Sequence, residues 1–490
     1  MAFLAFAITG GGRIVGSDEV TMLDLARSML HGCIDVPEGA TLRGPDGRFY
    51  TKNAAGQAAL ALPLVAAAEV VARASGLPPG RRTLAVRFLV SFFNAAVAAL
   101  LLAVFYRAAR DLGVRAGPSL AATLMLGFTT PLWVYAKSFM AEPLQGLGLL
   151  LALWGSARAS DSRRPWLAAA GFLLAAQVKP SMGPVALLCL GPLWWRGAAR
   201  ALRVTLTLIA ISLALHGAYD FARFHDVFQT GYGAQATPSA YTTPIWVGLY
   251  GLLLSSGKGV LWFAPALWLV PAGARAMARA GGGTRAVLIS AAAAAGLALG
   301  VYSTFEHWAG DGSWGPRYLV PLLPLAFLAV AFALEHAGRA RRALAVALGI
   351  AGLLVQFGGV SIHFGAQMRE AGDYPYSLPL SSPRFMSDSH FNPRFSPIAG
   401  HWRMLVRNAG EHLGGRAPRL EIVGGADARV GVGAEDQERL LRGLDFWWLY
   451  MLYAGLPGLP VGVMLGALVA GLGWAALRLR DAARAEARAA

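Results

Sequence analysis

The chain has 490 residues, of which 56% are hydrophobic and 14% are charged, and its mean hydropathy is +0.49. This composition excludes an ordinary soluble domain, and apolar runs without alternating polarity exclude an outer-membrane barrel. The formal net charge of +16 suggests nucleic-acid binding. However, the arginines cluster in short connections between apolar runs, which is the pattern of cytoplasmic loops in membrane proteins. The sequence therefore predicts an all-α polytopic membrane protein with no nucleic-acid partner.

The first apolar stretch, residues 1–16, is short for a membrane span, which usually needs roughly 20 residues. It lacks a basic start and a cleavage site, so we expect it to remain as an anchor. Asp18 and Glu19 follow directly. Carboxylates at a membrane boundary are costly unless they face water or a partner, so this pair is a candidate catalytic site. The alternative is that Ser17 or Asp18 caps the following helix.

Six arginine clusters predict the topology, because such clusters face the cytoplasm. They favour about twelve transmembrane helices with both termini in the cytoplasm. The long connections 17–82, 220–257, 305–317 and 363–443 then lie outside. The predicted spans are 1–16, 83–106, 118–136, 141–158, 165–178, 182–195, 201–219, 258–274, 285–304, 318–336, 342–362 and 444–476.

Three regions follow from this topology. Residues 1–362 form a transmembrane catalytic domain, 363–443 a small extracytoplasmic lobe, and 444–490 the last span with a basic cytoplasmic tail. Segment 54–75 is apolar but contains a proline and a glutamate, which favours helices at the outer interface. The chain break at 177–180 is typical of discontinuous helices that line a cavity.

Polar residues recur at the predicted outer ends of the helices. They match the chemistry of a phosphate-linked sugar, where a carboxylate takes a proton and cations hold the departing phosphate. Simpler interpretations stay open: Lys137 and Arg317 could extend to the membrane surface, Glu142 could stabilise a helix start, and His307 could be hydrated at the interface. The candidate residues are Tyr50, Lys52, Gln57, Lys137, Glu142, Lys179, Lys258, His307, Asp311 and Arg317.

Several segments resemble the GT-C membrane glycosyltransferases. GSDEVTMLDLARSML is similar to the first outer loop of that family, with its acidic residue or pair after the first helix. YTKNAAGQAALALPL resembles the Tyr-x-Lys stretch of the branch containing bacterial aminoarabinose transferases and protein O-mannosyltransferases. MAEPL resembles the second acidic motif of that branch, and DGSWGPRYLVPLLP a late outer-loop motif of bacterial members.

The resemblance implies an inverting glycosyltransferase of the plasma (inner) membrane, with its active site on the extracytoplasmic side. Its donor would be a sugar on a polyprenyl-phosphate carrier in the membrane lipid, and its acceptor an envelope glycan, lipid or protein. By motif position, Asp18 would be the general base, Glu142 a second acidic active-site group and Lys52 a phosphate-binding residue. Glu19 is the second choice for the base, because adjacent helical residues do not share a face.

Other functions stay open at this stage. No spacing typical of metal ligands stands out, and Asp18, Glu142, His307 and Asp311 are the candidate ligands if a divalent cation takes part. A transporter or flippase for a lipid-linked or anionic substrate would also have about twelve helices, with breaks that line a cavity. A non-catalytic scaffold of an envelope enzyme complex is the third alternative.

Overall fold

The computed structural model of the chain describes residues 1–39, 41–158, 165–195, 197–310, 312–371, 387–420, 439 and 441–489. Helices dominate these residues, and the strands among them form one antiparallel hairpin, β1 (Leu42–Arg43) with β2 (Phe49–Tyr50). Leu42 pairs with Tyr50 and Arg43 with Phe49. The predicted all-α class is therefore confirmed.

The α-helices are numbered in chain order, and short 3₁₀ segments are given by residue range where they matter. They are α1 (Ala2–Ile8), α2 (Ser17–Met29), α3 (Gly56–Ala74), α4 (Pro79–Val90), α5 (Phe93–Asp111), α6 (Ala116–Phe128), α7 (Leu132–Tyr135), α8 (Glu142–Arg158), α9 (Pro165–Val178), α10 (Gly183–Cys189), α11 (Gly191–Trp194), α12 (Ala198–Phe224), α13 (Ile245–Leu253), α14 (Val260–Phe263), α15 (Val270–Ala280), α16 (Gly282–Thr304), α17 (Leu323–Glu335), α18 (Arg339–Ser361), α19 (Phe364–Glu370), α20 (Ser387–Phe391), α21 (Pro397–Leu413), α22 (Trp447–Tyr453) and α23 (Gly458–Ala489).

Seven helical segments in the described part of the chain are long and apolar enough to cross a membrane. They are Gly56–Ala74, Pro79–Asp111, Ala199–Phe224, Gly282–Thr304, Arg317–Glu335, Arg339–Ser361 and Gly458–Asp481. Shorter apolar helical segments are Ala116–Phe128, Trp166–Val178 and Pro180–Trp194. The chain is thus a multi-pass membrane protein, as predicted.

The segment 54–75 forms the single helix α3, which is long enough to span a membrane by length and composition. Its acidic residue, Glu69, is paired with Arg27 of α2, with Arg27 Nε 2.6 Å from Glu69 Oε1. This ion pair stabilises a carboxylate that would be costly beside lipid. The predicted helix is therefore present, and its place at the outer interface stays a prediction.

The predicted first span 1–16 is not one helix, since α1 ends at Ile8. Gly12 has a positive φ of 65°, and a side chain there would clash with Trp447. The indole N–H groups of Trp447 and Trp448 donate to the carbonyls of Ala7 and Ile8, at 2.8 and 3.2 Å. The last carbonyls of α1 thus bond to α22 instead of to a further helical turn.

Further predicted spans are also interrupted. In 118–136, α6 ends at Phe128 and α7 begins at Leu132, with Pro131 between them. In 258–274, α14 is followed by a 3₁₀ segment, Pro265–Leu269, before α15 begins. In 444–476, α22 and α23 are separate helices. Proline lacks the N–H that continues a helical ladder, so the break at Pro265 follows from the local sequence. Helix α22 is instead followed by Gly455, which has a positive φ of 82°. The predicted break at 177–180 is also observed, with a 3₁₀ segment from Pro180 to Met182.

Helix α8 lies at the centre of the fold, with most of its residues buried against α5, α9 and α17. Glycines allow α8 and α9 to approach closely: a side chain at Gly171 would lie 2.2 Å from the Ala152 backbone nitrogen. This packing fixes the position of Glu142 at the first turn of α8.

The described part of the segment 363–443 packs on the membrane helix α18. Helix α21 contacts both α18 and α19, and its Met404 and Leu405 pack against Ile362. Residues 372–386, 421–438 and 440 lie outside the described part of the chain. Leu420–Val423, whose composition is compatible with a short strand, falls largely outside it as well.

The predicted topology can be tested by cysteine labelling in right-side-out vesicles. In a Cys33→Ser background, a cysteine at Leu413 should react with an impermeant maleimide, and one at Gly283 should react only after permeabilisation. Leu413 is 92% exposed, Gly283 is exposed at the start of α16, and Cys189 is buried. Equal reaction of both sites from outside would contradict the topology.

Candidate active site

A cavity of about 500 Å³ lies where the chain around the start of α2, the turn before α8 and the loop before α17 meet. Asp18, Lys52 and Arg317 line one end, and Arg13, Lys137 and Asp445 line the other. These residues come from segments far apart in the sequence. The fold therefore concentrates charged groups around one space.

Asp18 lies in the first turn of α2, and the start of this helix is held by Glu19. Glu19 Oε2 accepts the Gly16 N–H at 2.8 Å, which satisfies a backbone donor at the helix terminus. Glu19 Oε1 accepts the N–H of Phe139 at 2.5 Å. Burial raises the pKa of Glu19, although these two bonds oppose the increase. Glu19 thus positions its neighbour Asp18 beside the turn before α8.

Arg317 bridges two carboxylates. Its Nη2 lies 3.2 Å from Asp18 Oδ2, and its Nε lies 2.5 Å from Glu142 Oε1. The side chain of Glu142 is only 2% exposed, and its Oε2 has no hydrogen-bond partner among the described residues. A guanidinium offers donors in a fixed planar fork, so one arginine can serve both acids.

Lys52 approaches Asp18 from the other side, with Nζ 3.5 Å from Asp18 Oδ1. It follows the β1–β2 hairpin, whose exit is fixed by Arg223, because Arg223 Nη1 donates to the Thr51 carbonyl at 2.6 Å. The Lys52 side chain is 39% exposed. It is therefore a cation that remains accessible to an incoming anion.

The charges around Asp18 control its ionisation. Burial alone would raise the pKa of Asp18, but Arg317 and Lys52, with a smaller effect of Lys179, hold that pKa below its usual value. Lys179 lies at the break after α9, and its Nζ is 4.7 Å from the centre of the Tyr318 ring. Three cations, Lys52, Lys179 and Arg317, thus act on Asp18, and among them Lys52 is accessible to an incoming anion.

Three other predicted site residues make contacts within the protein that indicate structural roles. The Tyr50 hydroxyl donates to Asp46 Oδ2 at 2.7 Å, and the Gln57 amide donates to the Phe139 carbonyl at 2.6 Å. His307 Nε2 lies 3.5 Å from Glu306 Oε1. None of the three lines the cavity around Asp18. Their predicted substrate contacts remain predictions, and Asp311 lies outside the described residues.

The predicted lysines Lys137 and Lys258 are both turned into the protein. Lys258 is 1% exposed and donates to the Ser313 carbonyl at 2.6 Å, so it holds the loop before Arg317. Lys137 donates to the carbonyls of Val360 and Asp445, at 2.6 and 2.7 Å. Lys137 lines the cavity at the end opposite Asp18. We therefore expect Lys258 to support the site rather than to contact phosphate.

The sequence interpretation missed the charged cluster at that opposite end. Asp445 accepts from Arg13 Nη2 at 2.6 Å and lies 2.7 Å from Lys137 Nζ. The Tyr450 hydroxyl donates to the same carboxylate at 2.9 Å. Arg13 and Asp445 are 432 positions apart, so no local pattern could have paired them.

Of the four candidate metal ligands, Asp18, Glu142 and His307 are described by the structure and Asp311 is not. Among the residues that the structure describes, no group of three or more His, Cys, Asp or Glu side chains is arranged to hold a metal ion. Between Asp18 and Glu142 the bridging cation is the guanidinium of Arg317.

No protein-family model and no curated protein matches the chain. Among solved structures, it is similar to ArnT from Cupriavidus metallidurans bound to undecaprenyl phosphate, at 17% identity over 93% of this chain and 76% of that chain, with a TM-score of 0.49. The apo state of the same protein is 15% identical over 90% of this chain and 82% of that chain, with a TM-score of 0.47. The Archaeoglobus fulgidus oligosaccharyltransferase in its apo form is 13% identical over 80% of this chain and 60% of that chain, with a TM-score of 0.44. The function of this chain must therefore be inferred from its own side chains.

Proposed function

We propose that this chain is a membrane glycosyltransferase of the GT-C type. It transfers a sugar from a polyprenyl-phosphate carrier to an envelope acceptor at the extracytoplasmic face, with inversion at the anomeric carbon. The observation that carries the proposal is an accessible carboxylate, Asp18, held between Lys52 and Arg317 in a cavity of about 500 Å³. One space thus holds a base and the cations for a leaving phosphate, which is the pairing that this chemistry requires.

The donor phosphate binds next to the two cations and shares them with Asp18. Lys52 contributes a point charge, and Arg317 contributes N–H donors in a fixed plane. Once the phosphate shares these cations, they stabilise the Asp18 carboxylate less, so its pKa rises and it becomes a better base. Donor binding therefore activates the base in the proposed mechanism.

In the transfer step, an acceptor hydroxyl attacks the anomeric carbon opposite the phosphate. Its proton passes to Asp18, and the bond between the anomeric carbon and the phosphate oxygen breaks. The departing phosphate keeps the electron pair, and Lys52 and Arg317 stabilise its charge. Glu142 acts through Arg317: their 2.5 Å ion pair holds the guanidinium in the orientation that the phosphate needs.

A transporter or flippase is the second candidate, because Lys179 lies at a helix break next to the charged cavity. The two functions differ in what Asp18 does. A transferase without this base still binds the donor but does not turn it over, whereas a transporter moves the intact donor between leaflets and forms no product.

The direct test reconstitutes the full chain in vesicles with a radiolabelled polyprenyl-phosphate sugar and an envelope extract as the source of acceptor. We expect label to leave the carrier and appear in an acceptor fraction. Movement of intact donor between leaflets without loss of its sugar would support the transporter instead.

Lys52→Ala should weaken binding of the donor roughly tenfold or more, because a charge-assisted contact is worth ~1.5–3 kcal/mol. The measurement is titration of the purified protein with the polyprenyl-phosphate sugar. Arg43→Ala is the matched control, since Arg43 is an exposed cation of the same hairpin outside the cavity. Equal affinity of wild type and Lys52→Ala would remove Lys52 from the donor site.

A further inference from the structure

A second cavity, of about 490 Å³, is lined by residues of the segment 363–443 and lies beside the cavity that contains Asp18. Its wall is mostly charged, with four arginines and two glutamates, and its other lining residues are Ala417, Pro418 and Leu441. The charged residues are Glu370, Arg407, Glu411, Arg416, Arg439 and Arg442. The excess of positive charge suits an anionic ligand, and the small apolar surface does not suit a lipid chain.

The arginines of this cavity differ in how they are held. Arg407 is fixed in place, because its Nη1 lies 2.6 Å from Glu370 Oε2 and its Nη2 donates to the Leu441 carbonyl at 3.2 Å. Arg416 and Arg442 are exposed. Arg407 is exposed as well, and three exposed arginines allow bidentate contacts to a carboxylate or a phosphate group.

The second cavity adjoins the cavity of about 500 Å³ that Asp18 lines. Leu441 lines both cavities, and the adjacent residues Arg369 and Glu370 line the first and the second, respectively. Positive charge continues into the active cavity, where Arg13 and Lys137 share the single carboxylate of Asp445. A ligand held by the arginines therefore extends toward the cavity that contains Asp18.

We propose that the second cavity is an acceptor subsite and that the acceptor is an anionic glycan. Its carboxylate or phosphate group binds Arg416 and Arg442 while its reacting hydroxyl enters the active cavity. This inference rests on the proposed function, because it names the class of acceptor for the same transfer. The hydrophilic wall and the exposed arginines favour a glycan over an anionic lipid.

The test measures binding to the full chain in phosphatidylcholine nanodiscs. The fluorescent probes are trigalacturonate, maltotriose phosphate and neutral maltotriose. We expect at least one anionic probe to bind and maltotriose not to bind. Arg416→Gln/Arg442→Gln should weaken the binding of the anionic probe at least tenfold. A preference between the two anionic probes identifies the charged group as a carboxylate or a phosphate.

The matched control is Arg43→Gln/Arg394→Gln, which removes the same charge from two exposed residues outside both cavities. It should change the affinity for the anionic probe less than twofold. The proposal is overturned if this control weakens binding as much as the test variant, or if maltotriose binds as well as the anionic probes. Phosphatidylglycerol vesicles serve as an anionic lipid probe. Binding of these vesicles without binding of any glycan probe would also overturn the proposal.

Probe binding needs no donor, so this inference can fail separately from the proposed function. Transfer to a neutral acceptor without binding of an anionic probe would reject the subsite alone. Arginine-dependent binding of a probe by a protein that transfers no sugar would reject the transferase and leave the anion site in place.

Discussion

Asp18→Asn is expected to lower the rate of sugar transfer by about 10²–10⁴, the usual cost of losing a general base. Asparagine keeps the size of the side chain and its ability to accept a bond from Arg317, but it cannot take the hydroxyl proton. Donor binding should persist in this variant, because Lys52 and Arg317 no longer pair with a carboxylate. The measurement combines single-turnover transfer with donor titration.

Glu19→Gln is the matched control for Asp18→Asn, since both variants remove one acidic charge from the same helical turn. Glu19 accepts two backbone N–H groups, those of Gly16 and Phe139. We therefore expect this variant to unfold at a lower temperature while its folded fraction still transfers sugar. A dead Glu19→Gln beside an active Asp18→Asn would mean that Glu19 is the base.

The low pKa of Asp18 gives a second check on the same residue. In the ligand-free enzyme the carboxylate is charged above its lowered pKa, so kcat/KM should stay level as pH falls to about 4. If the donor phosphate binds Lys52 and Arg317, these cations stabilise the Asp18 carboxylate less, and the pKa of Asp18 rises in the complex. The acid decline of kcat should then occur at higher pH than the decline of kcat/KM.

Arg317→Gln is expected to lower transfer by about 10²–10³, the usual cost of removing one stabilising donor from a transition state. It should also destabilise the protein by about 3–5 kcal/mol, because it leaves Glu142 buried without its cation. Transfer rates and the free energy of unfolding in detergent are the two measurements. Arg317→Lys should be intermediate, because an ammonium cannot reproduce the planar fork that reaches both acids.

A double variant separates the two effects of Arg317. In Arg317→Gln/Glu142→Gln the buried negative charge is gone, so stability should largely return while transfer stays low. If the double variant regained transfer together with stability, Arg317 would be a structural residue only, and the proposed phosphate site would be wrong.

The sequence identified charged residues that the structure places close together, although it misjudged several helix ends. Asp18, Lys52, Glu142 and Arg317 were all identified from motifs, and the structure brings them together from four separate segments. The sequence also contained signals for the misjudged spans, since glycines after Ile8 and Pro265 in 258–274 mark the observed helix ends. Average hydropathy hid these breaks, because glycine and proline interrupt helices without making a segment polar.

Two features of the site could not be derived from the sequence. Asp445 joins Arg13 and Lys137 through contacts between distant segments, and nothing near Asp445 in the chain indicates these partners. Lys258 was predicted to contact the donor phosphate or substrate. In the structure its ammonium donates to the Ser313 carbonyl instead. The direction of a side chain is decided by packing, which local sequence does not determine.

The most direct test of the account compares wild type, Asp18→Asn and Glu19→Gln in one reconstituted assay with a polyprenyl-phosphate sugar and envelope acceptor. The account predicts transfer by wild type and by folded Glu19→Gln, and donor binding with about 10²–10⁴ less transfer for Asp18→Asn. Transfer by Asp18→Asn at the wild-type rate would contradict it.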